Sequence, residues 1–399
     1  MNNALKHWKE AATLILAAGQ RVGADGLLSR TSLTGTGTGG PGSGSGSHLP
    51  HWSRFDYDVL LLKRSSKSGF MPNAYVFPGG MLDSSDFSSE WLDVFKSVTN
   101  SADFGLRPVR QPPESRPQIF STDRRQLGSP VPGDAALRIC ALRETFEESG
   151  VLLVLSEEEA RQAGEDGFKD EMGRGLCRAH QLCSDELAKW RALVNRDPSN
   201  FIRMCKQLQL LPNIWALHEW ANWLTPAGRP GARFDTAFFM CCLQEVPDAS
   251  QDEKEIVRFQ WSRPSEILQS YRARQLLIPR PQFYELSRMC CFPSLSDLHS
   301  FAYERATEGC EHLLPVISKV ERHTALLPGD KHYPLHISRQ TEADNRTDFE
   351  LNDTPNGALH RIVMSDPYTP TLQITITPKY NHLLPLIEPA SSQDSKSKL

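Results

Sequence analysis

Arg143-Glu144-Thr145-Phe146-Glu147-Glu148-Ser149-Gly150-Val151 places three carboxylates within five residues of what reads as one helix. At about 100° per residue, Ala135, Ile139, Leu142 and Phe146 share one stripe, and Glu144, Glu147 and Glu148 share the opposite one. The apolar stripe is expected to dock the helix and the acidic stripe to face outward. Asp134 reads as the N-cap and Gly150 as the left-handed residue that stops the helix. Like charges one turn apart destabilise an isolated helix, and Glu147 and Glu148 lie at the negative end of its dipole, where anions are disfavoured. Two readings remain open. The cluster is either a solvated acidic face with Arg143 paired to Glu147, or a cation site in which Mg²⁺ or Mn²⁺ offsets both penalties. Such ions bind through a few carboxylates and fill their remaining positions with water and substrate phosphate.

Arg-Glu-x-x-Glu-Glu-x-Gly followed by an apolar residue resembles the second half of the Nudix box, the signature of the Nudix hydrolases. Its first half resembles Phe77-Pro78-Gly79-Gly80, which follows the strand-like run Tyr57-Asp58-Val59-Leu60-Leu61-Leu62-Lys63-Arg64. Gly80 lies 63 positions before Arg143, so the box is interrupted by roughly fifty inserted residues, rich in Pro and Ser, taken as residues 84–132. Counted back from Arg143, the family's first glutamate falls on Ala135, with Asp134 one position off, so this supporting acid is absent from its usual place. Downstream, Trp223-Leu224-Thr225-Pro226 and Arg233-Phe234-Asp235-Thr236-Ala237-Phe238-Phe239 resemble the strand pair that coenzyme A-cleaving Nudix hydrolases carry after the box. Glu255, six residues before Trp261, matches a loop glutamate that touches metal or the attacking water in many members.

The resemblance implies an α+β fold, a Nudix α/β/α sandwich with a mixed central sheet, a split box and a helical insertion. It implies Mg²⁺- or Mn²⁺-dependent hydrolysis of the pyrophosphate bond of coenzyme A and acyl-coenzyme A, giving 3′,5′-ADP and (acyl-)4′-phosphopantetheine. The expected catalytic residues are Glu144, Glu147, Glu148 and Glu255, and the expected metal ligands are Glu144, Glu148, Glu147 and the Gly80 carbonyl. Lys63, Arg64, Arg229 and Arg233 are candidates for binding phosphates, though each reads equally as a solvated strand-end charge. Arg143 is expected to orient Glu147. His218, among Trp215, Trp220 and Trp223, reads as packed rather than catalytic. Gly69 and Asn73 stand where many coenzyme A-cleaving members carry arginine and glycine. That departure keeps two alternatives in view: another nucleotide diphosphate such as NADH, ADP-ribose or an RNA cap as substrate, and an inactive Nudix fold used as a binding module.

The last three residues, Ser397-Lys398-Leu399, match a peroxisomal address read by an import receptor, so the peroxisomal matrix is the expected location. Lys6, Lys9 and the run from Ala11 to Gly19 could pass for a transit peptide, with the mitochondrion as destination. A strand fits better, because the apolar run is short and Glu10 interrupts its basic flank. A net charge of −4 argues against nucleic-acid binding by broad phosphate neutralisation, and no apolar run approaches the ~18 residues of a membrane span. The nine cysteines include no Cys-x-x-Cys pair and read as small core residues of a reducing compartment.

Residues 5–290 are therefore expected to form the Nudix domain. It carries a flexible Gly/Ser loop at 31–50, the insertion 84–132, and a helical insertion at 156–211 placed to roof the substrate cleft. Residues 291–399 are expected to form a C-terminal extension, with a helix over 297–314, a polar loop over 338–356 and a strand over 372–377.

Overall fold

The first apolar run becomes the central strand, β1 (Lys9–Gly19). The computed structural model describes residues 8–20, 55–98, 103–160, 173–226, 233–251, 255–318, 323–334 and 357–386. The expected Gly/Ser loop, the polar loop, Arg229 and the terminal tripeptide lie outside the described residues. After β1 come β2 (Tyr57–Arg64), β3 (Tyr75–Val76), β4 (Gly79–Met81), β5 (Val154–Ser156), β6 (Leu210–Pro212), β7 (His218–Leu224), β8 (Phe234–Leu243), β9 (Ile256–Ser262) and β10 (His312–Leu313). The main sheet has the order β10-β7-β8-β1-β2-β3, with β4 also on β1 and β9 also on β2. It is mixed, because β1 runs parallel to β8 but antiparallel to β2 and β4.

Successive side chains of a strand point to opposite faces, and β1 is buried on both. Leu14 and Leu16 share one apolar cluster with Ile139, Leu142 and Phe146. Ile15 and Ala17 share the other with Tyr284, Leu286 and Leu298. The helices that supply these layers are, in chain order, α1 (Glu90–Phe95), α2 (Gln118–Ser121), α3 (Gly133–Ser149), α4 (Ser184–Val194), α5 (Asn200–Leu208), α6 (Pro264–Arg272), α7 (Arg280–Met289) and α8 (Leu295–Arg305). With α3 on one face and α7 and α8 on the other, the architecture is the expected α/β/α sandwich. A second sheet of β11 (Val316–Ile317), β12 (Thr324–Leu326), β13 (His360–Met364) and β14 (Pro370–Ile374) adds Ala325, Ile362, Leu372 and Ile374 to the α7 side.

Several expectations are corrected. Helix α3 begins at Gly133 with Pro132 at its N-cap, so Asp134 lies in the first turn and pairs with Arg138 at 3.1 Å and Arg116 at 3.2 Å. Its stop is as read, with Gly150 at φ 74°. The acidic stripe does not face outward, since Glu148 is 4% exposed and Glu144 and Glu147 are half-buried. The inserted segments contribute to that cover. Residues 84–132 carry α1 and α2, and Trp91, Phe95, Phe104, Ile119 and Phe120 enter the same cluster as α3. The described helices of the second insertion also pack on α3. Phe201 of α5 lies 6.2 Å from Phe146 and 6.1 Å from Trp91 between ring centroids. Helix α8 is shorter than the 297–314 expected. Ser294 caps its start, and at its end buried Arg305 donates to the carbonyls of Glu219, Trp220 and Gly309, where Gly309 at φ 88° turns the chain toward β10.

Candidate active site

Two glycines let the backbone of β4 press against the last turns of α3. At Gly79, φ is 154°, and an added Cβ would lie 2.4 Å from the Ala12 carbonyl oxygen. At Gly80 a Cβ would lie 2.4 Å from the carboxyl carbon of Glu144, so only a hydrogen fits while that carboxylate stays where it is. The Gly79 N–H donates to Glu148 Oε2 at 2.9 Å. Glu144 and Glu148, one helical turn apart, thus both abut the Gly79-Gly80 backbone.

Arg143 organises the rest of the turn from below and is 1% exposed. Its Nη1 donates to Glu144 Oε1 at 2.9 Å and to Glu147 Oε1 at 2.8 Å. Its Nε and Nη2 meet the two oxygens of Asp86, each at 2.9 Å. Three carboxylates therefore surround one guanidinium, and the excess negative charge, with burial, appears in the acidities of the glutamates. Burial pushes Glu144 up to about 7, against the pull of Arg143 and with a further push from Glu147. Glu147 is raised mainly by burial. Burial and then the charge of Glu144 hold Glu148 well above the ordinary carboxylate range.

Glu255 and Arg64 complete the neighbourhood. Arg64 Nη2 donates to Glu255 Oε1 at 2.5 Å, while its Nε donates to Ser68 Oγ at 3.1 Å and to the Phe70 carbonyl at 3.0 Å. The charge of Glu255 raises the pKa of Glu148 and that of Arg64 lowers it, so both lie close enough to act on it. Lys63 and Arg233 are seated on aromatic faces, Nζ of Lys63 5.9 Å from the Tyr75 centroid and Cζ of Arg233 5.5 Å from that of Trp8. His218 is 4% exposed between His299 and Tyr303, and burial drives its pKa down, as fits a packed side chain.

Hard oxygen donors suit Mg²⁺ or Mn²⁺, and an excess of buried carboxylates over cations calls for added positive charge. Among the described residues no three His, Cys, Asp or Glu side chains converge as a ready cage. Glu147 shares Arg143 Nη1 with Glu144 and stands beside the set. The donor set that fits is Glu144 and Glu148 with the Gly80 carbonyl, leaving positions for water and phosphate.

Sequence reasoning missed Asp86 and Arg191. Asp86 had a signal, because the acid that the box pattern places between its glycine and its arginine falls on Asp86 when counted forward from Gly80. Arg191, on α4, donates from Nε to the Glu147 carbonyl at 2.9 Å, and nothing in its local sequence marks it.

The family model described as the NUDT19 Nudix domain matches residues 8–289, and that of the NUDT19 C-terminal domain matches 316–375. Over the full length of both chains, the protein is 46% identical to a Xenopus laevis protein named acyl-coenzyme A diphosphatase NUDT19 and 41% identical to the Gallus gallus protein of that name. The human protein of the same name is 38% identical over 95% of this chain and 94% of its own. Among solved structures, a NUDIX hydrolase from Alicyclobacillus acidocaldarius aligns with 77% of this chain and 98% of its own, at 21% identity and a TM-score of 0.46.

Proposed function

Because the chain belongs to the family defined by the NUDT19 Nudix domain, we propose that it hydrolyses the pyrophosphate bond of coenzyme A and acyl-coenzyme A with Mg²⁺ or Mn²⁺, in peroxisomes. The products are 3′,5′-ADP and (acyl-)4′-phosphopantetheine. The observation that carries the reaction is the buried carboxylate turn held against Gly79 and Gly80. Its excess negative charge is a cost to folding that a phosphoanhydride hydrolase can use. The substrate rests on the name that relatives matched over nearly their whole lengths bear.

A divalent cation held by Glu144, Glu148 and the Gly80 carbonyl would supply positive charge to the phosphates and make an attacking water more acidic. The chain's own groups do the rest. The Gly79 N–H fixes the rotamer of Glu148. Arg143 Nη1 holds Glu144 and Glu147 on one edge of its fork, so both carboxylates reach the cleft already oriented. Glu255, or one of the box carboxylates, accepts the proton of the attacking water. Arg64, fixed by Ser68, Phe70 and Glu255, offers charge to a phosphate oxygen. The terminal Ser397-Lys398-Leu399 supports import by a peroxisomal receptor.

A mass-resolved product assay with Mg²⁺, offering coenzyme A, an acyl-coenzyme A, NADH and ADP-ribose in parallel, tests this reading. Release of 3′,5′-ADP from the coenzyme A compounds alone is expected. Turnover of NADH or ADP-ribose in their place would discard the substrate, and no turnover at all would leave a binding module.

A further inference from the structure

Beside the carboxylate site, the ends of β2 and β9 carry a pair of cations that folding alone does not explain. Lys63 of β2 stands directly opposite Arg258 of β9. Like charges opposite one another on neighbouring strands repel and weaken the pairing. Among the described residues no carboxylate pairs with either of them, and Glu255, the acid nearest to Arg258 in sequence, is bonded to Arg64. We propose that Lys63 and Arg258 bind the 3′-phosphate of the substrate and set a preference for coenzyme A compounds over nucleotides that lack that group. The inference rests on the reading that coenzyme A is cut at the carboxylate site.

A local irregularity of β9 places the pair. Ile256 and Phe259 both pack on the α3 side of the sheet, although residues three apart on a regular strand point to opposite faces. The register shifts between Lys63 and Arg64, so that Lys63 faces Arg258, Arg64 faces Ile256, and Val257 is left over as a bulge. The bulge lets β9 bury Ile256 on the α3 side while Arg258 turns to the other face, where Lys63 stands. Tyr75, opposite Lys63 on β3, carries the lysine on its ring, with Nζ 5.9 Å from the centroid. Tyr75 is itself 6% exposed, and its N–H donates to the Leu277 carbonyl at 2.7 Å. Arg258 is exposed and Lys63 half-buried, so a ligand in solvent can reach both.

A phosphomonoester carries a charge of about −1.5 to −2 near neutral pH and offers three acceptor oxygens. Two cations match that charge, and a guanidinium supplies two parallel donors. Coenzyme A has one such group. Two of its phosphates form the linkage that is cut, and the third leaves on the 3′-oxygen of 3′,5′-ADP. Arg64, next to Lys63 in the chain, lies on the α3 side with Glu255 and acts on Glu148. Strand β2 ends at that residue. Charge for the linkage and charge for a second phosphate therefore stand at one strand end on opposite faces, and a ribose joining its 5′ and 3′ positions can lap around it.

The test offers coenzyme A and 3′-dephospho-coenzyme A to full-length native protein, Lys63→Gln, Arg258→Gln and Lys63→Arg, and measures binding of 3′,5′-ADP and 5′-AMP to each by calorimetry. Loss of one hydrogen bond to a charged group costs about tenfold to a hundredfold in binding. In each glutamine variant the ratio of kcat/KM for coenzyme A to that for the dephosphorylated substrate should fall by such a factor, carried by KM. The native preference for 3′,5′-ADP over 5′-AMP should shrink in step, and Lys63→Arg should keep most of both. Equal kcat/KM for the two substrates in native protein, or a loss in the glutamine variants that is the same for both, overturns the inference alone. Native protein that cleaves neither overturns the reading beneath it and the inference with it.

Discussion

Replacing Glu144 with Gln should make the metal-free protein more stable while disabling the site. The carboxyl of Glu144 is raised from 4.5 to about 7 in the folded chain. At about 1.4 kcal/mol for each tenfold change in acidity, ionising it in place costs roughly 3 kcal/mol. Its side chain is 16% exposed, so solvent screens that cost only modestly. The folded protein binds this proton more tightly than the unfolded chain does. The favourable contribution is therefore complete below about pH 4.5 and is lost as pH rises through about 7. Glutamine is neutral throughout and keeps an oxygen for Arg143 Nη1. In EDTA at pH 8, urea denaturation should show Glu144→Gln more stable than the native protein by roughly 2–3 kcal/mol, with the gap shrinking to under about 1 kcal/mol at pH 5. Saturating Mn²⁺ should reverse the order, because only the native site gains binding free energy in proportion to its affinity. A variant no more stable than native at pH 8, or an advantage that does not depend on pH, would refute the account of the buried charge.

Gly80→Ala puts a methyl 2.4 Å from the Glu144 carboxyl carbon; kcat should fall at least about tenfold, while the thermal midpoint in EDTA moves little because the displaced group ends a flexible side chain. For Glu148→Gln, steady-state kinetics should show a loss of about a hundredfold or more in kcat, and turnover close to native would remove Glu148 from the site. Arg116→Met leaves Glu219, which is fully buried and bonded to Arg116 at 2.8 Å and 3.1 Å, without its cation, so urea denaturation should show a loss of about 3–5 kcal/mol. Deleting residues 397–399 should disperse a fluorescently tagged chain into the cytosol with activity in vitro unchanged, and retained peroxisomal signal would dismiss the terminal address.

The layers of the fold were legible where local pattern and tertiary environment agree. β1 and β2 are apolar runs bounded by polar residues, and α3 has an apolar stripe and a glycine stop. The first insertion was opaque because its helices span only six and four residues. That is too short for a 3.6-residue period to be read, and too short to be stable without packing. What orders them is Trp91, Phe95 and Phe120 meeting the α3 side of the sheet, a contact between segments far apart in sequence. The end of α8 was misplaced for a similar reason. It is set by Arg305 reaching three carbonyls, two of which, on Glu219 and Trp220, lie outside any window over residues 297–314.

The acidic cluster of the site was legible because it is contiguous, but its burial was not. Periodicity assigns residues to a stripe without saying what covers that stripe. Here the cover is the Gly79-Gly80 backbone, Arg143 and Asp86. Asp86 was overlooked by counting from one end of a broken motif: an insertion leaves each half in register with itself, so the acid stays with the glycine half and the arginine with the helix half. Their ion pair rejoins the halves across 57 positions. Closing so long a loop is not prohibitive, since the entropic cost grows with the logarithm of length and amounts to about 2 kcal/mol beyond that of a short connection. Burying one large aromatic side chain contributes roughly as much, and the insertion buries Trp91, Phe95, Phe104 and Phe120. The interruption can thus be stable in its own right, and the free energy of the Asp86–Arg143 pair remains available to hold the carboxylates of the site.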